Sequence, residues 1–136
     1  MAFAIKAEIC HPQAKTLAFA AQKTMYGGKY VAVGDTIFLF ASENKGGHGL
    51  IARGVITSAE AIAKKPGIAR QTPRVSITFR RSALANRPLG RNELKRFVDW
   101  TDGQPESELN FKFYRQATNK VAGITGQTAA FLEGFF

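Results

Sequence analysis

Apolar and polar positions alternate through residues 3–10. Phe3, Ile5, Ala7 and Ile9 fall on one side and Lys6 and Glu8 on the other, which predicts a half-buried first strand. His11-Pro12 ends it, because proline donates no ladder hydrogen bond. Residues 13–24 are rich in Ala, Gln and Lys, with Leu17, Ala18 and Ala21 at helical spacing. They predict a helix of about three turns, broken by Tyr26-Gly27-Gly28. Gly34-Asp35 is a turn signal, and the dense apolar run at 36–41 predicts a central strand. Residues 44–49 hold three glycines and read as a loop. Residues 50–56 predict the returning strand of a hairpin over 34–56, with Gly54 marking a bulge or a close backbone approach.

The second half is patterned less regularly. Residues 59–69 predict a short helix interrupted by Pro66-Gly67. Residues 74–80 alternate most cleanly, with Val75, Ile77 and Phe79 facing one way and Arg74, Ser76, Thr78 and Arg80 the other. Loops are expected at 82–90 and 99–106, with a short helix at 92–97 between them. Residues 111–114 and 121–124 read as strands, and Thr125 caps a final helix through Phe135. The order β-α-β-β-(α)-β-(α)-β-β-α, without regular βαβ alternation, predicts an α+β fold. A bent mixed sheet or pseudo-barrel of about five or six strands with short flanking helices is expected.

Length and composition narrow the class. The chain has 136 residues, 45% hydrophobic and 21% charged, which excludes disorder as its default state and suits one domain over 1–136. No apolar run is long enough to span a membrane, and the N-terminus lacks the layout of a secretory signal. One cysteine cannot form an internal disulfide, so a cytoplasmic location is expected. Cys10, His11 and His48 have no metal-ligand spacing, and neither metal nor cofactor is expected. The chain is expected to be a monomer or a weak dimer, with Phe135-Phe136 packed internally or across a dimer.

Charge changes the picture most. The formal net charge is +9, and the whole excess lies between residues 64 and 96, where Glu93 is the one acid. Such a cluster suits a polyanion, and Lys64, Lys65, Arg70, Arg74, Arg80, Arg81, Arg87 and Arg91 are candidate phosphate ligands. Most of the eleven Phe sit at core periodicity. Trp100 and Tyr114 instead neighbour polar residues, and the donor-rich run 115–120 follows Tyr114 directly. Aromatic faces stack bases while amides and guanidinium groups read base edges, so Trp100, Tyr114, Arg115 and Asn119 are candidates for a nucleobase pocket. The acids are dispersed and offer no pair with a reason to titrate apart, so no catalytic residue is assigned.

The central hairpin carries a family resemblance. Gly34-Asp35, Phe38-Leu39-Phe40, Ser42-Glu43-Asn44 and the run from Gly49 to Val55 resemble the core of EVE domains in the PUA-like superfamily, with ASCH domains the nearest alternative. The similar hairpin spans roughly 33–58, and beyond it only element order matches. The resemblance implies a small bent barrel with flanking helices and a pocket for a nucleobase, in several relatives a modified one. It places Phe40, Ser42 and Glu43 beside that pocket. The chain has no Trp in its first third, where many EVE domains carry aromatics near the N-terminal strand, which leaves Trp100 as the stacking plate. The expected function is non-enzymatic binding of DNA or RNA. The alternatives are a nucleoside or nucleotide sensor, an ASCH-like enzyme on RNA or nucleotides with Glu43 as acid or base, and a basic face for an acidic protein.

Overall fold

The computed structural model describes residues 2–116 and 118–136. Six strands, β1 (Ala2–Ala7), β2 (Thr16–Met25), β3 (Thr36–Ala41), β4 (Gly49–Ala61), β5 (Arg74–Leu84) and β6 (Lys120–Ile124), close into a barrel in the order β1-β3-β4-β5-β2-β6. The β1–β3 and β2–β6 pairs are parallel and the others antiparallel. Helices α1 (Arg91–Leu94), α2 (Pro105–Leu109) and α3 (Gly126–Glu133) are short, and α2 runs on into a π-helical turn, Asn110–Tyr114. The expected α+β pseudo-barrel with short helices is the observed architecture.

Two apolar layers hold it together. Phe3, Ile5, Ile37, Leu39, Ile77 and Phe79 fill the barrel. Phe38, Phe40, Ala122 and Ile124 point outward and are covered by Leu94, Leu109, Phe113, Leu132 and Phe135 from the helical segments. This cover explains why β3 reads as a continuous apolar run rather than an alternating one. It also corrects the reading of β1: Lys6 is not on a solvent face but fully buried beneath the helical layer.

Three segments differ from the sequence pattern. Residues 16–25 form β2, not a helix. Its pairing with β5 and the stacking of Phe19 on Phe79 (5.9 Å between centroids) outweigh the helix propensity of Ala, Gln and Lys. Residues 59–61 finish β4, and the exposed segment after them is not helical. There the Gln71 amide is the organiser, accepting from the Lys65 amide (2.9 Å) and donating to the Lys65 and Ile68 carbonyls (2.8 and 3.1 Å). Residues 111–114 are π-helical, not a strand, because Phe113 packs on Phe40 while Phe111 packs toward Trp100. β5 also runs on to Leu84, into a stretch expected to be loop. The expectation for Gly54 holds: the β4–β5 register shifts there, and a Cβ would stand 2.6 Å from the Arg80 carbonyl oxygen.

Candidate nucleic-acid interface

β2 and β6 pair only at Thr24–Val121 and Met25–Ala122. β6 begins at Lys120, one residue before those rungs, so residues 118–119 enter the pairing from outside any strand. β2 carries a β-bulge between Phe19 and Gln22, with Ala21 held at φ 49°. β5 fixes the bulge from both sides: the Ser76 hydroxyl accepts from the Ala21 amide (2.9 Å), and the Arg74 guanidinium donates to the Ala21 carbonyl (2.6 Å). The result is a cavity of about 400 Å³ lined by Gln22, Lys23, Ser42, Asn44, Arg74, Thr118 and Asn119, together with Ala21.

A second cavity, about 250 Å³, is lined by Lys23, Lys64, Lys65, Gln71 and Arg74 among others. Lys23 and Arg74 line both, so the two spaces adjoin. The first offers mainly neutral amides and hydroxyls, whereas the second is cationic and contains no acid.

Behind Ser42 lies a buried polar cluster. Phe40 stacks on Phe113 (5.5 Å, 17° between planes). Lys6 donates to the Phe113 carbonyl oxygen (3.0 Å) and stands over the Tyr114 ring (4.7 Å). Burial lowers its pKa, against the pull of Glu43. Lys120 faces Lys6 across the last rung of the β1–β6 ladder, with its ammonium over the Phe113 ring (5.7 Å). Burial first, then the charges of Lys6 and Arg115, lower Lys120 to about 8. Burial, reinforced by the neighbouring Glu43 carboxylate, pushes the Tyr114 phenol far up. Tyr114 Oη and Glu43 Oε1 are both shut off from solvent without a hydrogen bond of ordinary geometry. Glu43 Oε2 accepts from the Arg91 amide (2.7 Å) and so fastens the glycine loop to the start of α1. Gly90, the residue before α1, leaves room for this: a Cβ there would come 3.2 Å from Glu43 Oε2.

The expected pocket residues therefore divide. Ser42 and Asn119 line one cavity, Phe40 and Tyr114 lie in the layer behind it, and Glu43 lines a separate cavity of about 400 Å³ with His48 and Arg91. Arg115 is exposed and stacks on the Phe111 ring (4.1 Å). Trp100 is set apart, edge-on to Phe111 (5.5 Å), and lines a different cavity of about 330 Å³ with Gln104, Glu108, Lys112 and Gln127.

Of the basic residues, Lys64, Lys65 and Arg74 gather at the cationic cavity, and Arg70 is exposed on the same loop without lining it. Arg80 is exposed on β5, and Arg81 donates to the Gln13 carbonyl (3.0 Å). Arg87 lies over the Phe135 ring (4.1 Å) and Arg91 reaches Asn44 Oδ1 (3.4 Å). Sequence reasoning missed Lys6, Lys120, Gln22, Lys23 and Asn44. Lys6 and Lys120 had one available signal, a lysine set within or against an apolar strand.

Among the described residues no group of three His, Cys, Asp or Glu side chains is placed to hold a metal. No described helix is long and apolar enough to cross a membrane.

No family model matches the chain, and no curated protein is similar to it in sequence. Solved structures are similar to it in fold. The DUF55 domain of human thymocyte nuclear protein 1 superposes with a TM-score of 0.66 at 14% identity, over 98% of this chain and 97% of that one. Human THYN1 protein in complex with 5-methylcytosine-containing DNA gives 0.64 at 15% identity, over 98% and 95%. A variant ASCH protein from Zymomonas mobilis gives 0.53 at 10%, over 98% and 96%. At these identities the likeness carries the fold alone: the chain shares the closed mixed pseudo-barrel with short helices of these structures.

Proposed function

We propose that the chain is an EVE-type nucleic-acid-binding domain. It takes one unstacked base, a modified base among its candidates, into the cavity lined by Ser42, Asn44 and Asn119, while Lys23, Lys64, Lys65 and Arg74 hold the adjoining phosphates. The observation that carries this reading is the sharing of Lys23 and Arg74 between the neutral cavity and the cationic one. A base edge needs neutral donors and acceptors, and its phosphate needs cations within one nucleotide of them. That a protein of similar fold is solved with 5-methylcytosine-containing DNA supports the reading. The domain acts as a binder rather than a catalyst, a reading supported by a base cavity that no described Asp or Glu lines. Exposed free Cys10 fits a reducing compartment such as the cytoplasm.

Filter binding of single-stranded and duplex DNA and RNA at about 50 mM salt tests the proposal. Affinity that falls steeply with added salt is expected. Absence of binding to every nucleic acid would overturn it, and saturable binding of free nucleosides alone would favour a small-molecule sensor. Turnover of RNA or nucleotides would favour the enzyme that the ASCH likeness raises.

A further inference from the structure

Lys6 and Lys120 occupy the last rung of the β1–β6 ladder, but their ammonium groups are served differently. Lys6 has the Phe113 carbonyl and the Tyr114 ring. Lys120, only 1% exposed, has no hydrogen-bond partner among the described residues, and its nearest polarisable neighbour is the Phe113 ring face. Lys6 and Arg115 are the charges that act on it, both cations, while Glu43 acts on Lys6, with Tyr114 and Arg91 beside that pair. An ammonium desolvated to this extent without a hydrogen bond is costly, and an acceptor brought from outside would relieve that cost. Lys120 does not itself line the neutral cavity, but its neighbours in the chain do. Thr118 and Asn119, which immediately precede Lys120, line it, and so does Ser42, which follows β3 on the face that Lys6 shares.

We propose that Lys120 reads a ring carbonyl oxygen of the bound base, so that the site takes cytosine, guanine, thymine, uracil or their modified forms in preference to adenine. The inference rests on the base-binding reading above and adds its specificity. An ammonium only donates, whereas the amides of Gln22, Asn44 and Asn119 both donate and accept. With Lys23 and Arg74 given to phosphate, Lys120 is the donor-only group left to the base: a ring carbonyl suits it, whereas adenine carries an exocyclic amine and no carbonyl. Phosphate is better served at the rim, where Lys23 and Arg74 belong to both cavities. The lowered pKa of Lys120, about 8, adds a signature: the unliganded site loses the reading proton in mildly alkaline solution.

The test uses labelled single-stranded oligonucleotides that differ at one central position, cytosine or adenine, neither of which changes its own charge between about pH 6.5 and about pH 9. Fluorescence anisotropy is read at both pH values for the wild type and for Lys120→Met. The wild type should prefer cytosine about 5- to 100-fold at the lower pH, and several-fold less at the higher. Lys120→Met should show no preference at either pH and an unchanged salt slope. A preference that survives Lys120→Met, or one in the wild type that ignores pH, overturns the inference. So does a loss of affinity with a shallower salt slope at equal base preference, which would put Lys120 on phosphate. If the wild type binds both bases equally, this inference alone falls; if it binds no oligonucleotide, the base-binding reading falls with it. Should Lys120→Met not fold, the pH comparison on the wild type decides.

Discussion

The Lys6 ammonium donates to the Phe113 carbonyl oxygen at 3.0 Å and ties the first strand to the π-helical turn. Lys120, its neighbour on the same rung, makes no such bond, so two equally buried lysines should respond in opposite directions to the same substitution. Lys6→Met leaves the Phe113 carbonyl without its donor and should destabilise by about 1–2 kcal/mol. Lys120→Met removes an unpaired buried cation and should stabilise at neutral pH by about 1–3 kcal/mol. Thermal melts at pH 7 measure both. A lower melting temperature for Lys120→Met would mark that lysine as structural rather than as a group kept for a ligand.

The same lysine sets a pH dependence of stability. Its folded pKa, about 8, lies below the ordinary lysine value of 10.5. Between the two the unfolded chain holds the proton more tightly, so stability contributed by this group rises with pH. The advantage of Lys120→Met over the wild type should therefore be full below about pH 8 and narrow as the pH approaches the ordinary lysine value. Denaturant titrations at several pH values follow the gap, and one that widens with pH would contradict the assignment of the shift to burial.

Cations outside the shared cavities should behave differently from those within them. Arg74 lines both cavities while pinning the β2 bulge through the Ala21 carbonyl. Arg74→Ala should weaken nucleic-acid binding and reduce the salt slope by about one. Arg87 is committed to the Phe135 ring and the Gly134 carbonyl. Arg87→Ala should leave the slope alone. Equal changes for the two would move the phosphate path away from the cavities and toward the general basic surface.

The parts of this molecule that were legible in sequence are those whose pattern is set locally. The hairpin of β3 and β4, the alternation at the start of β5 and the Thr125 cap, whose hydroxyl accepts from the Thr128 amide, follow from side-chain periodicity and turn chemistry. β2 was illegible because its outer positions are Ala, Gln and Lys and only its pairing with β5 makes it a strand. The +9 segment was legible as a polyanion surface, but which of its cations gather around a cavity depends on Lys23, contributed by the misread β2. Lys6 and Lys120 were hidden for a related reason: by its alternation β1 has a wet face, and only the helical layer covers it. A site made by strands that meet only at their ends leaves no spacing motif.

Glu108 joins α2 to α3. It accepts from the Thr125 amide and hydroxyl (3.0 and 2.7 Å), the Thr128 hydroxyl (2.7 Å) and the Lys112 ammonium (2.9 Å). Burial raises its pKa, but these bonds more than offset that and hold it below the usual carboxylate value. A depressed carboxylate contributes stability above its unfolded pKa and loses it as the pH falls through the folded one. Glu108→Gln should cost about 2 kcal/mol at pH 7, and the difference from the wild type should shrink on acidification. Melting temperatures from neutral to strongly acid pH measure it; a constant difference would mean that the carboxylate charge is not what holds α3.

Trp100 separates the two ways of building a stacking site on this scaffold. As the single tryptophan, 42% exposed, it is the natural plate for a base when only the sequence is considered. In the fold its ring meets Phe111 edge-on, and its cavity shares no lining residue with the one that holds Ser42 and Asn119. A nucleotide seated by Lys23 and Arg74 thus has its base turned toward Ser42, not toward the indole. Trp100→Ala should therefore leave both the base preference and the salt slope unchanged, while costing some stability through the lost contact with Phe111. Anisotropy titrations of the variant with the cytosine and adenine oligonucleotides decide the matter. A collapse of base preference at unchanged salt slope would return Trp100 to the site and require the base to lie along the α2 face instead of in the cavity that Ser42 lines.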